Sequence, residues 1–146
     1  MEIPYILTRP GAKAPAYATP GAAAADLCAA LDKPLTLAPG QRAIIPTGVA
    51  VQLPGPQWVA LLCARSGLAV KRGLTLSNGV GVIDSDYRGE IGVGVVNLGE
   101  EPVTVEPGER VAQLMILPVA QAAFVAAQSL DETDRGEGGF GSTGRL

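Results

Sequence analysis

The stretch "SNGVGVIDSDYRGE", residues 77–90, holds the side chains best suited to chemistry in this sequence. Asp84, Asp86 and Glu90 place three carboxylates close together, with Tyr87 among them. The chain has no histidine, which excludes Ser-His and Cys-His nucleophile pairs and leaves carboxylates as the natural general bases. Taken alone, the segment could also be an ordinary polar loop at the end of a strand.

The same stretch carries a turn signal. Asn78 followed by Gly79 predicts a two-residue β-hairpin, and Gly79 and Gly81 permit close approach to the backbone. A flat ligand could therefore lie against this part of the chain.

A second candidate site is "ARSGLA", residues 64–69. We predict a short helix here, with Ser66 as its N-cap and Gly73 as its C-terminal stop. Free backbone N–H groups, a hydroxyl and the guanidinium of Arg65 would then converge, which suits a phosphate group. A simple serine cap without a ligand is the alternative.

The third candidate is the tail "RGEGGFGSTG", residues 135–144. Arg135 offers a charge, the glycines offer exposed amides, Ser142 and Thr143 offer hydroxyls, and Phe140 offers an aromatic face for a base. A flexible chain end without function is the alternative.

Composition limits the possible partners. The 146 residues include 14 acidic and 11 basic side chains, so no overall field attracts nucleic acid or an anionic membrane. The N-terminus lacks the features of a signal peptide, and we expect a cytoplasmic protein with no membrane or nucleic-acid partner. The two cysteines, Cys28 and Cys63, are far apart in sequence and make neither a zinc set nor a redox pair.

The elements that position these residues are strands. Short apolar runs rich in β-branched residues alternate with Pro-Gly turns such as "APGQR" and "EPGER", which predicts an all-β fold with one short helix. The β pattern ends near Gln128. We therefore predict one β domain over residues 1–128 and a glycine-rich arm over residues 129–146.

Five motifs in order give the chain a resemblance to a known family. "PGAAAADL", "ARSGLA", "NGVGVIDSDYRGE", "GERVAQL" and "RGEGGFGSTG" resemble the motifs of the trimeric dUTP pyrophosphatases. The resemblance implies a distorted antiparallel β-barrel or jelly roll that assembles as a homotrimer. It also implies that each C-terminal arm closes over the active site of a neighbouring subunit.

The resemblance implies a reaction as well: dUTP and water give dUMP and pyrophosphate by in-line attack on the α-phosphorus. Asp84 matches the general base. Mg²⁺ would bridge the phosphates, and Asp26 would hold it through water. The first motif has alanines around Asp26 where the family usually shows Ser-Ala-Gly-x-Asp.

The remaining site residues follow from the same resemblance. The phosphate chain would be held by Arg65, Ser66, Gly67 and Gln113, and from the arm by Arg135, Ser142 and Thr143. The nucleoside would contact the residues of the Asn78 turn and the strand after it, the sugar-packing Tyr87, and the arm: Asn78, Gly81, Val82, Ile83, Tyr87, Phe140 and Gly141.

Two alternatives differ in class. A dCTP deaminase shares the implied fold but needs a glutamate aimed at the pyrimidine, and Glu90 lies in the wrong place for that. A non-catalytic nucleotide-binding regulator is the other.

Outside the site, we expect Arg110 to be structural and the aromatic residues Tyr5, Tyr17, Trp58 and Phe124 to be packing residues.

Overall fold

The structure is a computed structural model that describes residues 1–140 of the chain. Eleven strands and one helix occur in this part of the chain. In chain order they are β1 (Tyr5–Leu7), β2 (Ala25–Cys28), β3 (Leu35–Leu37), β4 (Arg42–Pro46), β5 (Val49–Val51), β6 (Trp58–Ala64), α1 (Ser66–Arg72), β7 (Leu74–Leu76), β8 (Gly81–Ile83), β9 (Gly92–Asn97), β10 (Val103–Val105) and β11 (Arg110–Pro118).

The strands form four small antiparallel sheets. The largest has the order β2-β11-β6-β8, the next has the order β4-β9-β7, and β1-β5 and β10-β3 form pairs. The prediction of an all-β antiparallel fold with one short helix is confirmed. In residues 1–140 no helix is long and apolar enough to cross a membrane.

One core lies between the sheets. Its fully buried side chains come from different sheets and are nearly all branched aliphatic, including Leu27, Leu37, Ile45, Val93 and Val105. Such residues pack well on pleated surfaces, which is why short valine-rich runs became strands. The core fixes the four-stranded sheet, and that sheet carries the candidate site residues Asp26 and Gln113.

The two Pro-Gly turns form as predicted. Gly40 and Gly108 have φ angles of 76° and 77°, in the region that glycine adopts without strain. Each turn closes with a backbone bond, from Gln41 N to Ala38 O at 3.0 Å and from Glu109 N to Glu106 O at 3.0 Å. The second turn leads directly into β11.

The hairpin predicted at Asn78-Gly79 is wrong. Gly79 does turn the chain, with φ of 74°, but β7 pairs with β9 and β8 pairs with β6. Ser77 N still donates to Gly94 O, while Gly81 already pairs with Leu62. The turn is thus a corner between two sheets, because burial of the two strands in different layers overrides the local hairpin preference.

The helix begins one residue away from its predicted cap. Arg65, with extended φ and ψ of −86° and 124°, is the N-cap, and no side chain caps the helix. The carbonyl of Arg65 accepts from the amides of Leu68 and Ala69, so Ser66 is the first helical residue. The predicted stop at Gly73 is confirmed by its left-handed φ of 70°.

The C-terminal segment leaves the sheet early. The last strand ends at Pro118, and residues 119–137 are exposed throughout. Phe124 is 98% exposed, and Tyr5 and Tyr17 are about half exposed. The expectation that these three aromatics pack is therefore wrong for a single chain, whereas Trp58 does pack against the core.

Candidate active site

Asp84 stands at an exposed turn directly after β8. The amide of Tyr87 donates to the Asp84 carbonyl at 3.2 Å and closes the turn. The arginine ion pairs of the described residues go to Asp26, Glu90 and Glu109, and none goes to Asp84. Asp84 is itself exposed, so its carboxylate faces solvent.

A cleft opens beside this turn. Asp84 and Tyr87 share it with three glycines and with apolar side chains, and its lining residues are Leu62, Asn78, Gly81, Val82, Ile83, Asp84, Tyr87, Glu90, Ile91, Gly92 and Gly94. Gly81 is required by packing, since a Cβ there would lie 2.9 Å from the Cβ of Leu62. The absence of side chains at the glycines leaves main-chain groups open to a flat ligand.

Glu90 links the turn after β8 to residues 8, 9 and 48 through hydrogen bonds. Its carboxylate accepts from Gly48 N at 3.0 Å, Thr8 Oγ1 at 2.9 Å and Arg9 NH2 at 3.0 Å. Burial alone would raise the pKa of Glu90, but these hydrogen bonds and the Arg9 charge outweigh it and lower the pKa. The carbonyl of Glu90 accepts from Tyr87 Oη at 2.9 Å, which fixes the half-exposed ring over the cleft.

A second group of polar side chains surrounds Asp26, which is only 5% exposed. One carboxylate oxygen accepts from Arg65 Nε at 3.1 Å and from Gln113 Nε2 at 3.4 Å. The other accepts from Arg110 NH1 at 2.9 Å. Arg65 also donates through NH1 to the Arg110 carbonyl at 3.2 Å. We call these four residues the Asp26 cluster, and its side chains carry a net charge of about +1.

Strand register explains why the cluster forms. Gln113 of β11 pairs with Asp26 of β2 on one side and with Cys63 of β6 on the other. Directly opposed residues project to the same face of a sheet, so the three side chains form a row. Cys63 is half-buried in this row and is a free thiol.

The cleft and the Asp26 cluster lie apart in one chain. Asp84 follows Ile83 of β8, and Ile83 pairs with Ala60 of β6. Asp26 lies on β2, two strands beyond β6 in the same sheet and at the level of Cys63. With about 4.8 Å between strands and about 3.4 Å per residue, the backbone positions of Asp84 and Asp26 are about 20 Å apart. A single copy therefore does not bring Asp84 to the arginines.

Comparisons with known proteins agree with the motifs. A sequence model described as dUTPase matches residues 11–144. Deoxyuridine 5'-triphosphate nucleotidohydrolase of Desulfitobacterium hafniense is 57% identical, covering 99% of this chain and 95% of that protein. The protein of the same name from Thiobacillus denitrificans is 49% identical, covering 99% of each chain. The chain belongs to the dUTPase family.

A solved dUTPase shows the same fold. The structure of Staphylococcus bacteriophage 80alpha dUTPase with dUPNHPP has a TM-score of 0.90, 28% identity and 99% coverage of both chains. The fold predicted from the motifs is that of this family.

The dUTPase motif residues at the helix and in the arm are exposed. Ser66 and Gly67 begin α1 at the surface, next to the Asp26 cluster through Arg65. In the arm, Arg135 Nε donates to Gly138 O at 3.0 Å within a local turn, and Phe140 is fully exposed. The predicted residues Gly141, Ser142 and Thr143 lie outside the described residues.

The donors of this dUTPase fit a metal ion held mainly by the substrate. Within residues 1–140 no group of three or more metal-ligating side chains exists. Asp26 already accepts three hydrogen bonds, and a carboxylate has about four lone-pair sites, so one direction remains for a water molecule. Mg²⁺ commonly binds phosphates and water with few protein ligands.

Arg110 is the residue of the cluster that the sequence did not indicate. We expected the arginine of "GERVAQL" to be structural, and its guanidinium contacts the buried carboxylate of Asp26. The spacing between a Pro-Gly turn and an arginine carries no signal of a contact across strands. Pairing register, which depends on the folded sheet, decides this contact.

Proposed function

We propose that this dUTPase hydrolyses dUTP to dUMP and pyrophosphate by attack of water on the α-phosphorus. The observation that carries the proposal is the pair of sites described above, an open carboxylate beside a cleft and a separate arginine cluster, in a chain of the dUTPase family. The reaction would keep uracil out of DNA and supply dUMP for thymidylate synthesis.

The distance between the two sites supports an active site shared between copies of the chain. We propose a homotrimer in which Asp84 of one subunit meets the Asp26 cluster of another, because about 20 Å separates them within one chain. Exposed apolar surface supports contact between copies: Ile6 is 63% exposed, and among residues 1–140 β1 pairs with β5 alone. Such an edge strand is normally covered.

The arm is suited to reach a neighbour. Phe124 is 98% and Val125 is 85% exposed, so this apolar segment has no packing within residues 1–140. From Pro118 to Phe140 an extended chain can span about 70 Å, whereas a compact domain of this size has a radius of gyration of about 15 Å. We propose that the arm crosses to a neighbouring subunit and that its end closes over the nucleotide.

Asp84 is the proposed general base. Its open position lets it accept a proton from a water molecule aligned with the α-phosphorus, and such a base commonly contributes about 10²–10⁴-fold in rate. Arg65, Ser66, Gly67 and Gln113 would bind the phosphate chain, where the surplus positive charge of the Asp26 cluster stabilises charge on the leaving pyrophosphate.

Mg²⁺ is the proposed cofactor, and the dUTPase family is generally Mg²⁺-dependent. When bound to the phosphates, the ion would offset their negative charge. Asp26 would contact it through water, using the lone-pair direction that its arginine and glutamine partners leave open.

The cleft is the proposed uracil site. Main-chain groups from Asn78 to Ile83, including Gly81 and Val82, would read the edge of the base, and the Tyr87 ring would exclude a 2′-hydroxyl. Phe140 would stack on the base, with Gly141 beside it. From the arm, Arg135, Ser142 and Thr143 would clamp the far phosphates.

Glu90 argues against the deaminase alternative. Its carboxylate is held by Gly48, Thr8 and Arg9 and is not free to act on a pyrimidine ring. The test is to incubate the purified protein with Mg²⁺ and each common nucleoside triphosphate, following pyrophosphate and ammonia. We expect pyrophosphate from dUTP alone. Ammonia from dCTP would establish the deaminase, and no product at all would favour a non-catalytic regulator.

A further inference from the structure

Arg110 lies on the functional face of the sheet because of an irregularity in β11. Regular strands alternate their side chains, so Arg110 and Gln113, three residues apart, would point to opposite faces. The pairing with β2 instead shifts between Arg110 and Ala112: Arg110 opposes Cys28, and Ala112 opposes Leu27.

This bulge has a direct consequence for Asp26. Cys28 and Asp26 are two residues apart on β2 and share a face, so the partner of Cys28 joins the partner of Asp26 on that face. Bulges commonly re-aim a side chain beside an active site. Here the bulge brings both Arg110 and Gln113 to the carboxylate of Asp26.

The hydrogen bonds then form a closed loop. Arg110 NH1 donates to one oxygen of Asp26, and Arg65 Nε donates to the other. Arg65 NH1 donates to the Arg110 carbonyl and so completes the loop. Among the described residues the Arg65 guanidinium donates from Nε and NH1, which leaves its NH2 group for a ligand. Arg65 would keep fewer orientations in this loop than in a single ion pair.

We propose that Arg110 is a positioning residue for dUTP hydrolysis: it holds Asp26, and through Asp26 it aims Arg65 at the triphosphate. The inference rests on the function proposed above. The Arg110 side chain is 51% exposed, and without it Asp26 would still accept hydrogen bonds from Arg65 and Gln113. Arg110 is therefore expected to matter more for catalysis than for folding.

The experiment compares three single variants of the full-length protein. Arg110→Met removes the contact, Arg110→Lys keeps a charge without the planar donor pair, and Arg42→Met is the control, since Arg42 is exposed on β4 in another sheet. The measurements are kcat and KM for dUTP, the affinity for dUPNHPP, and the thermal unfolding midpoint.

We expect Arg110→Met to lower kcat/KM by about 10- to 100-fold, as loss of an outer-shell partner commonly does. Affinity for dUPNHPP should fall with it, and the unfolding midpoint should stay close to that of the wild type. Arg110→Lys should recover part of the loss, and Arg42→Met should match the wild type. If Arg110→Met does not fold, the comparison of Arg110→Lys with Arg42→Met decides in the same way.

A double-variant test identifies the route of the effect. If Arg110 acts through Asp26, Asp26→Asn combined with Arg110→Met should be no worse than Asp26→Asn alone. Independent, multiplying losses would overturn the inference, as would wild-type kinetics in both Arg110 variants. A wild-type protein that releases no pyrophosphate from dUTP would instead overturn the proposed function, and the inference with it.

Discussion

Two carboxylates of this protein stand in opposite surroundings. Asp26 is 5% exposed and accepts hydrogen bonds from Arg65, Gln113 and Arg110, whereas Asp84 lies on an exposed turn without an arginine partner in the described residues. A carboxylate that accepts hydrogen bonds from two arginines can hold those arginines in place, while a carboxylate open to solvent can accept a proton. The two roles proposed for these residues differ because their surroundings differ and not because of residue type.

The largest expected effect is the loss of dUTP turnover when Asp84, the proposed base, is replaced. Asp84→Asn keeps the shape of the side chain and removes its basicity, so turnover of dUTP should fall by about 10²–10⁴-fold. Binding of dUPNHPP should remain close to that of the wild type. Steady-state pyrophosphate release and a binding titration measure both, and unchanged turnover would remove Asp84 as the base.

Asp26→Asn tests the organising side. Loss of the charge weakens the part-buried hydrogen bond from Arg65, which is of the kind that contributes about 1.5–3 kcal/mol to stability. We expect lower stability in urea together with a lower kcat/KM, whereas Asp84→Asn should leave stability unchanged. Equal stability of the two variants would contradict the distinction between the two carboxylates.

The arm offers a smaller effect on binding. Phe140→Ala should weaken dUPNHPP binding by about 1–3 kcal/mol if the ring stacks on the base. Because Phe140 is fully exposed in one chain, its removal should not change the free energy of unfolding. Phe124→Ala is the matched control within the arm, and it should affect assembly of the subunits more than nucleotide stacking.

The smallest expected effect concerns pH. The pKa of Glu90 is lowered in the folded protein, so its contribution to stability is present above the ordinary glutamate pKa of 4.5 and is lost as pH falls through the folded value. Glu90→Gln should therefore flatten the decline of stability in acid below about pH 4.5. Urea unfolding at several pH values measures the slope, and an unchanged slope would count against the network around Glu90.

The strands, the helix, the Pro-Gly turns and the family could be predicted from the sequence, because each depends on a local pattern or on the order of motifs. The hairpin predicted at Asn78 was wrong, because β7 and β8 belong to different sheets. The sequence also did not indicate that Asn97 is buried, with its amide donating to Leu37 O at 3.0 Å and to Glu101 O at 2.8 Å. Such contacts depend on which distant strands meet, and a hydrophobic pattern does not encode that.

The Asp26 cluster shows the same limit in the site itself. The motifs indicated Asp26, Arg65 and Gln113 one by one, but not that they share hydrogen bonds with Arg110 through a bulge in β11. The arm differs again: its composition predicted a segment without its own packing, and residues 119–137 are indeed exposed. The proposed boundary at residue 128 stays a prediction.

The most direct test of the shared active site is subunit complementation. Asp84→Asn and Arg65→Met should each be nearly inactive alone, and the two are then co-expressed or refolded together. If Asp84 and Arg65 of one site come from different subunits, about one site in four of a randomly mixed assembly has both and activity returns. Mixed assemblies that remain as inactive as either parent would contradict the account.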